Sequence, residues 1–443
     1  MDPLHECHRA AGGPAMKSLA TQFRSFNGCI RLLMVQQFTI NTAFYMLMPY
    51  LAVHLADGLG MAAWAVGLVL GVRNFTQQGM FLIGGTLADR LGYKPVIVAG
   101  CVLRTLGFGL LGFVDSLPAL VVASATTGFA GALFNPAVRA YLAQEAGQRR
   151  VEAFAAFNVF YQAGMFAGPL VGLALLTADF RLVCTVAAVL FLALTLVQLR
   201  MLPARRATEA SESRGVLADW RTVVANRPFL LFSGAMIGSY VLSFQIYLAL
   251  PLQAHRAFPG SGDAVTTALF AVSAAVAVAG QLKITAWARA HWSSQRAIVC
   301  GIALMGAAFL PPLFASGTVT AGTGPLGWFA ALASLFTAVA LLGLGTAVVY
   351  PFEMDTVVSL AGGRLVATHY GLYNTVSGLG ITLGNLTTGA VWDAADRMGR
   401  PELTWLALAA TGAVCAGCVG LLARSGRLTP QPEPEPHLTA VTS

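Results

Sequence analysis

The sequence predicts an all-α membrane protein: twelve transmembrane helices in two pseudo-symmetric six-helix halves. Three observations predict it. Hydrophobic residues make up 56% of the 443-residue chain and charged residues only 10%, less than half of the about 25% usual in soluble chains. Twelve apolar runs each approach the roughly 20 residues a helix needs to cross about 30 Å of hydrocarbon. The fifth and eleventh runs share a residue pattern at one fixed offset. The composition argues against a soluble enzyme, a disordered chain and a nucleic-acid binder. The net charge of +8 does not reverse this, because the basic residues are scattered between apolar runs, as in membrane chains.

The first thirty residues read as a cytoplasmic tail. His5-Glu6-Cys7-His8 resembles a metal-binding cluster in isolation, but it sits in a polar tail and no metal site is expected. The first long apolar run begins near Arg31 without a small-residue cleavage site after it, so it reads as an uncleaved first span; Met16 is an alternative start. The runs in the N-terminal half are 31–53, 63–86, 94–114, 118–141, 154–176 and 181–202. Those in the C-terminal half are 229–250, 264–286, 296–315, 327–351, 369–391 and 403–423. They are too long and too uniformly apolar for barrel strands, and in lipid only helices or closed barrels satisfy their own backbone. Between the halves lies a polar cytoplasmic loop, 203–228. After the last span, 424–443 forms a tail whose Pro430-Gln431-Pro432-Glu433-Pro434 run is expected to be extended and disordered. Cys415 and Cys418 have a redox spacing, but no second pair accompanies them and they lie inside a span.

Orientation follows from the loops. With the N-terminus inside, 21 of the 27 Lys and Arg residues fall on the cytoplasmic side, leaving Arg181, Arg256, Arg397 and Arg400 outside and Arg73 and Arg104 within spans. Positive charge favours the inside, so both termini are expected in the cytoplasm of a multi-pass plasma-membrane protein.

The repeat carries function. Phe154-x-x-Phe157-Asn158, Gly164 and Gly168 return 216 residues later as Tyr370-x-x-Tyr373-Asn374, Gly380 and Gly384. Span four ends in Asn135-Pro136 and span ten in Tyr350-Pro351. Two repeated halves with a site between them is a transporter arrangement.

Between spans two and three stands Gly85-Thr86-Leu87-Ala88-Asp89-Arg90-Leu91-Gly92-Tyr93-Lys94. It resembles motif A of the major facilitator superfamily, with Tyr93 in place of a basic residue. The glycines permit a tight turn and close helix approach. Asp89 suits the N-terminus of a neighbouring helix, for which span eleven is expected. Gly164, Gly168, Pro169 and Gly172 resemble motif C, associated with antiporter members, with Leu173 replacing its last glycine. They are expected to shape the interface between halves. The rest of the chain is similar to the MdtH-type multidrug efflux proteins of the twelve-span drug:H+ antiporter branch, through Gly71-x-Arg73-x-Phe75-x-Gln77-Gln78-Gly79, Asp179-Phe180-Arg181 and Pro401-Glu402-Leu403-x-Trp405. The resemblance implies a major facilitator fold, a small-molecule substrate and export driven by proton entry. It departs at span four, where Ser124 occupies the place of the branch's arginine, and at span one, which has no acidic residue.

Ionisable groups within spans are costly and invite functional readings. Arg73 could face Gln36, Gln37 or Asn41; Arg104 could line the route or pack structurally. Two cations without a buried carboxylate point to an anionic or zwitterionic substrate. Further cavity candidates are Tyr45, Gln77, Asn158, Gln162, Gln245, Tyr247, Tyr373 and Asn374. Glu353 is the proton-coupling candidate, with a helix-end salt bridge to Arg364 as the alternative. No Walker A sequence, nucleophile triad or metal cluster is evident, so neither enzyme activity nor a cofactor is expected. The partners expected are substrate, proton and membrane lipid, without nucleic acid, for a monomeric chain. Two rival functions stay open: an importer of sugars, organic anions or amino acids, and a non-transporting receptor or scaffold.

Overall fold

Span one starts where Asn27 Oδ1 accepts the Ile30 amide at 2.8 Å, occupying one of the donors a helix leaves free at its first turn. In a computed structural model of the chain, described over residues 19–176, 179–204, 215–316 and 324–428, this helix runs Gly28–Val53. Span two is Ala63–Gly79 and Phe81–Leu91, interrupted at Met80. Spans three to six are Tyr93–Phe113, Leu117–Ala146, Arg150–Leu176 and Phe180–Met201. The C-terminal half follows with span seven (Arg227–Phe244 and Ala249–Ala257), span eight (Gly262–His291) and span nine (Ser294–Ala307 and Leu310–Ser316). Spans ten, eleven and twelve are Gly324–Ala361, Val366–Arg397 and Glu402–Arg424. Among the described residues there is no strand.

Prolines explain two interruptions. Pro251 cannot donate to the Tyr247 carbonyl, and span seven breaks into a 3-10 turn at Gln245–Tyr247. Pro311 and Pro312 do the same for span nine at 308–309. Other prolines are absorbed. Pro136, Pro169 and Pro351 lie inside continuous helices. Spans four and ten therefore continue well beyond the prolines near which the sequence reading ended them. The connection 203–228 also differs from a plain loop: it contains a helix, Val216–Ala225. Span eight, expected over 264–286, continues as helix to His291. The His5–His8 cluster, Met16, Arg205, Arg206, Arg214 and the proline-rich tail lie outside the described residues.

Among the described residues, eight helical segments are long and apolar enough to cross a membrane by length and composition, and one of them, Leu117–Leu176, holds spans four and five. Spans one, two and eleven fall short. They carry Gln36, Gln37 and Asn41, Arg73, Asn74, Gln77 and Gln78, and His369 and Asn374. Polar residues in a span are expected to face the protein interior, so these three helices are the ones to follow.

The repeat is visible in packing. A Cβ on Gly164 or Gly168 of span five would come within 2.4 Å of Phe38 O or 2.7 Å of Tyr45 Cβ on span one. A Cβ on Gly380 or Gly384 of span eleven would come within 2.5 Å of Ile237 Cγ2 or 2.4 Å of Val241 Cγ2 on span seven. Spans five and eleven thus press their glycine faces on spans one and seven, equivalent partners in the two halves. Gly172 joins this face, 2.1 Å from Met46 O. The motif C glycines therefore close the N-terminal half on itself; the expected interface between halves is made by other residues.

Candidate functional site

The halves meet tightly at one end of the bundle, the end rich in arginine, called here the basic end. Spans two and eleven, and spans five and eight, pack extensively across the divide, whereas spans one and seven have no comparable contact. Polar links between described residues join the halves in the basic-end portion. Asp89 accepts from Ala367 N at 3.1 Å, Thr368 N at 2.7 Å and Thr368 Oγ1 at 2.6 Å. Two of these donors are free N–H groups of the first turn of span eleven, where a carboxylate is favoured by the helix dipole, and the third is the Thr368 hydroxyl. Gly85 makes the approach possible: a Cβ there would lie 2.1 Å from Ala367 O. Gly371 does the same from the other side, 2.4 Å from Phe81 O. Gly92, at φ +90°, turns the chain between spans two and three.

The remaining motif A cations point elsewhere. Arg90 pairs with Asp219 at 2.6 Å, Trp220 Nε1 donates to Thr86 Oγ1 at 2.8 Å, and Lys94 Nζ donates to Leu199 O at 2.9 Å. The 216–225 helix is thereby tied to span two.

Deeper, Arg139 Nη1 donates to Asn374 Oδ1 at 2.7 Å, Arg150 pairs with Asp355 at 2.7 Å, and Asn158 Nδ2 donates to Gln281 Oε1 at 2.8 Å. Gln281 passes the link to Ala347 O at 2.7 Å. Arg289 pairs with Glu152, and Thr375 Oγ1 donates to Gln78 O at 3.1 Å. Toward the other end the halves touch through Tyr247 Oη and Met165 Sδ at 3.7 Å, a weak contact because a thioether is a poor acceptor.

Glu353 lies in this zone. It is 4% exposed and its Oε1 accepts from Tyr240 Oη at 2.7 Å and from Tyr373 Oη. Arg139 is close enough to act on it electrostatically. Two sequence readings change here. Glu353 is not at a helix end paired with Arg364; Pro351 lets span ten continue, and the carboxylate sits in a tyrosine cage. Arg139, counted among the cytoplasmic-side cations, is inside span four and reaches across the divide. Neither Tyr240, Arg139 nor Gln281 was singled out in the sequence. The repeat held a signal for one of them: Arg139 stands three residues beyond Pro136, much as Glu353 stands two beyond the matched Pro351.

The other cavity candidates scatter. Tyr45 lies within electrostatic reach of Tyr161, Tyr247 and Arg73, a group contributed by spans one, five, seven and two. Arg73 bonds Gln77 Oε1 at 3.2 Å and Asn74, and stacks 5.1 Å from the Phe44 ring. It therefore faces Phe44 rather than Gln36, Gln37 or Asn41. Asn41 donates to Tyr161 O at 3.0 Å. Gln36 is fully buried with neither amide atom partnered. Arg104 is 5% exposed among the rings of Phe44, Phe134 and Phe191, at 5.5 to 5.8 Å, inside the N-terminal half. Gln245 is buried at the break in span seven and spends its amide on Val241 O of its own helix. Gln162 is half-buried on span five.

Two repeated bundles of membrane-crossing helices, joined at one end around polar residues, define a multi-pass solute transporter rather than an enzyme. Residues 33–385 match the family model described as the Major Facilitator Superfamily, and the chain belongs to that superfamily. It is 54% identical over 392 residues to the uncharacterized MFS-type transporter Rv0849 of Mycobacterium tuberculosis, covering 88% of this chain and 92% of that one. It is 29% identical over 381 residues to the multidrug resistance protein MdtH of Shigella dysenteriae serotype 1, covering 86% and 90%. The fold is similar to that of the E. coli fucose:proton symporter FucP, with a TM-score of 0.68 at 14% identity over 89% and 98% of the chains. It is also similar to the human organic anion transporter MFSD10, with a TM-score of 0.59 at 15% identity over 88% and 98%.

Proposed function

We propose that this transporter exports drugs or small metabolites across the plasma membrane by proton-coupled antiport with alternating access. In this reading residues 31–202 and 229–423 are the two moving halves. The 203–228 connection and both termini are cytoplasmic, and the working unit is a monomer. The basic end is then the cytoplasmic gate, closed in this structure, and the motif A residues Gly85, Asp89, Arg90, Gly92 and Lys94 belong to its latch.

The observation that carries the reading is Glu353, buried between Tyr240 and Tyr373 beside Arg139 at the join between the halves. As a carboxylate it accepts two phenol protons and offsets the Arg139 charge. Protonation removes the charge that favours Arg139 in this place and so weakens the pin from span four to Asn374. A proton arriving from the open side would favour release of the cytoplasmic gate; its loss to the cytoplasm would favour closure. Only such a difference between states lets a ligand drive a conformational change. The polar group around Tyr45, Arg73, Gln77 and Tyr247 is the candidate substrate surface.

The test is efflux from proteoliposomes with and without an imposed pH gradient. Wild type should accumulate a lipophilic test compound against its gradient only when protons flow the other way. Glu353→Gln should abolish pH-driven accumulation while leaving exchange of one compound for another. Gradient-driven accumulation by Glu353→Gln at the wild-type rate would overturn the assignment.

A further inference from the structure

A second feature of the basic end is not used by the gate. Beside the latch lies an open crevice of about 1060 Å3, between the 216–225 helix, the start of span seven and the turn before span eleven. Its charged lining is entirely cationic: Arg221, Arg227 and Arg364, with Thr222, Asn226 and His369 among the polar residues between them. Among the described residues, none of the three guanidinium groups has a hydrogen-bond acceptor or ion-pair partner. The floor is fixed. Asn226 Nδ2 donates to Leu360 O at 2.9 Å and lies 3.3 Å from His369 Nε2, and His369 is buried. Arg364 is held at the rim by a turn in which Gly362, Gly363 and Leu365 have φ of +59°, +70° and +52°. A left-handed leucine is unusual, and this one caps span eleven two residues before Ala367, the first of the Asp89 partners.

The outer face of the 216–225 helix adds apolar surface. Leu217 and Val224 are 77% and 52% exposed, and at helical spacing they flank Arg221 on one stripe. The opposite face buries Asp219 and Val223. Apolar residues on either side of a cation suit a helix lying at a bilayer surface.

We propose that this crevice binds the phosphate headgroup of an anionic phospholipid, with Leu217 and Val224 against its acyl region, and that a lipid held there braces the latch through the 216–225 helix. Planar guanidinium groups match phosphate oxygens by paired hydrogen bonds. Three arginines without an acceptor among the described residues offer that capacity to a ligand. The apolar stripe favours a lipid over a free phosphate. Arg90–Asp219 and Trp220–Thr86 carry any ordering of this helix to span two. The inference rests on the chain spanning the membrane with this end at its surface; which leaflet that is depends on the orientation proposed above.

The test uses the full chain in neutral detergent micelles, which have no sides, so it is independent of orientation. Short-chain phosphatidylglycerol, short-chain phosphatidylcholine and inorganic phosphate are titrated separately, and binding is read by the shift in thermal unfolding. Phosphatidylglycerol should bind wild type with clear preference. The combined Arg221→Gln, Arg227→Gln and Arg364→Gln variant should bind it about 100-fold more weakly, and each single variant about fivefold. Should the triple variant fail to fold, the singles carry the test. A control removing Arg181, Arg397 and Arg400 at the other end should bind like wild type. Equal binding of phosphatidylglycerol by wild type and the arginine variants would overturn the proposal. So would equal affinity for phosphatidylcholine, or inorganic phosphate binding as tightly as the lipid.

Discussion

Gly84 and Gly85 are neighbours, yet alanine at the two positions should have different consequences. At Gly85 the added Cβ would lie 2.1 Å from Ala367 O, where ordinary contact begins near 3.4 Å. The three nearest atoms on the far side are all backbone, so the halves must part by more than 1 Å. The Asp89 hydrogen bonds of 3.1, 2.7 and 2.6 Å would then stretch beyond useful range. Losing two of the three, at about 1.5 kcal/mol for each bond to a charged group, moves the balance between closed and open gates by about 3 kcal/mol, or roughly 150-fold. The fold itself is spared, because the contact exists only between halves. At Gly84 the Cβ would lie 2.0 Å from Ala132 O on span four of the same half, so alanine there should lower the unfolding temperature. Gly71 has nothing within 4 Å of its added Cβ, and alanine there should do neither. The assay is the distance distribution between spin labels on Arg200 and Arg424, exposed on the two halves at the basic end. Gly85→Ala should populate long distances that wild type lacks. A Gly85→Ala distribution matching wild type and Gly71→Ala would refute the reasoning.

Three further outcomes follow from the same geometry. Arg139→Gln should weaken the pin to Asn374 and loosen the basic end, read as longer distances between spin labels on Arg200 and Arg424 than in wild type; an unchanged distribution would remove Arg139 from the gate. Arg150→Gln and Asp355→Asn should show a coupling of about 1 kcal/mol in a double-mutant cycle on gate opening, the scale of a partly exposed ion pair; additive effects would remove the pair from the gate. Arg104→Met should keep or raise the unfolding temperature, because a buried charge without an acceptor costs more than an apolar side chain of similar length. A large fall would show that the three rings stabilise the cation more than its burial costs.

Much of the architecture was legible because lipid simplifies the code: a span must be long, helical and apolar, and each of those demands is written in composition. Asp89 was legible through its resemblance to motif A, whose glycines permit close helix approach and whose carboxylate suits a helix terminus. Glu353 and Arg139 were harder to place. A proline in an apolar run signals a break, and it does break spans seven and nine, but Pro136 and Pro351 are carried inside helices supported by packing from both halves. Ending the spans near those prolines moved both charges toward the water. The direction of side chains was also hidden. Arg104 and Arg73 lie on adjacent spans and both approach Phe44, yet one is enclosed in the N-terminal half and the other lies near Tyr45 on the candidate substrate surface. Spacing along one helix does not tell which neighbour it will meet.

The claim that the two ends open in turn is tested most directly by two distances followed in the same membrane-embedded preparation. One is Arg200 to Arg424 at the basic end; the other is Ser116 to Arg400 at the opposite end. On acidification and on addition of a transported compound, the account predicts that one distance lengthens whenever the other shortens, with Gly85→Ala already shifted toward an open basic end. Distances that lengthen together, or that stay fixed while transport proceeds, would contradict it.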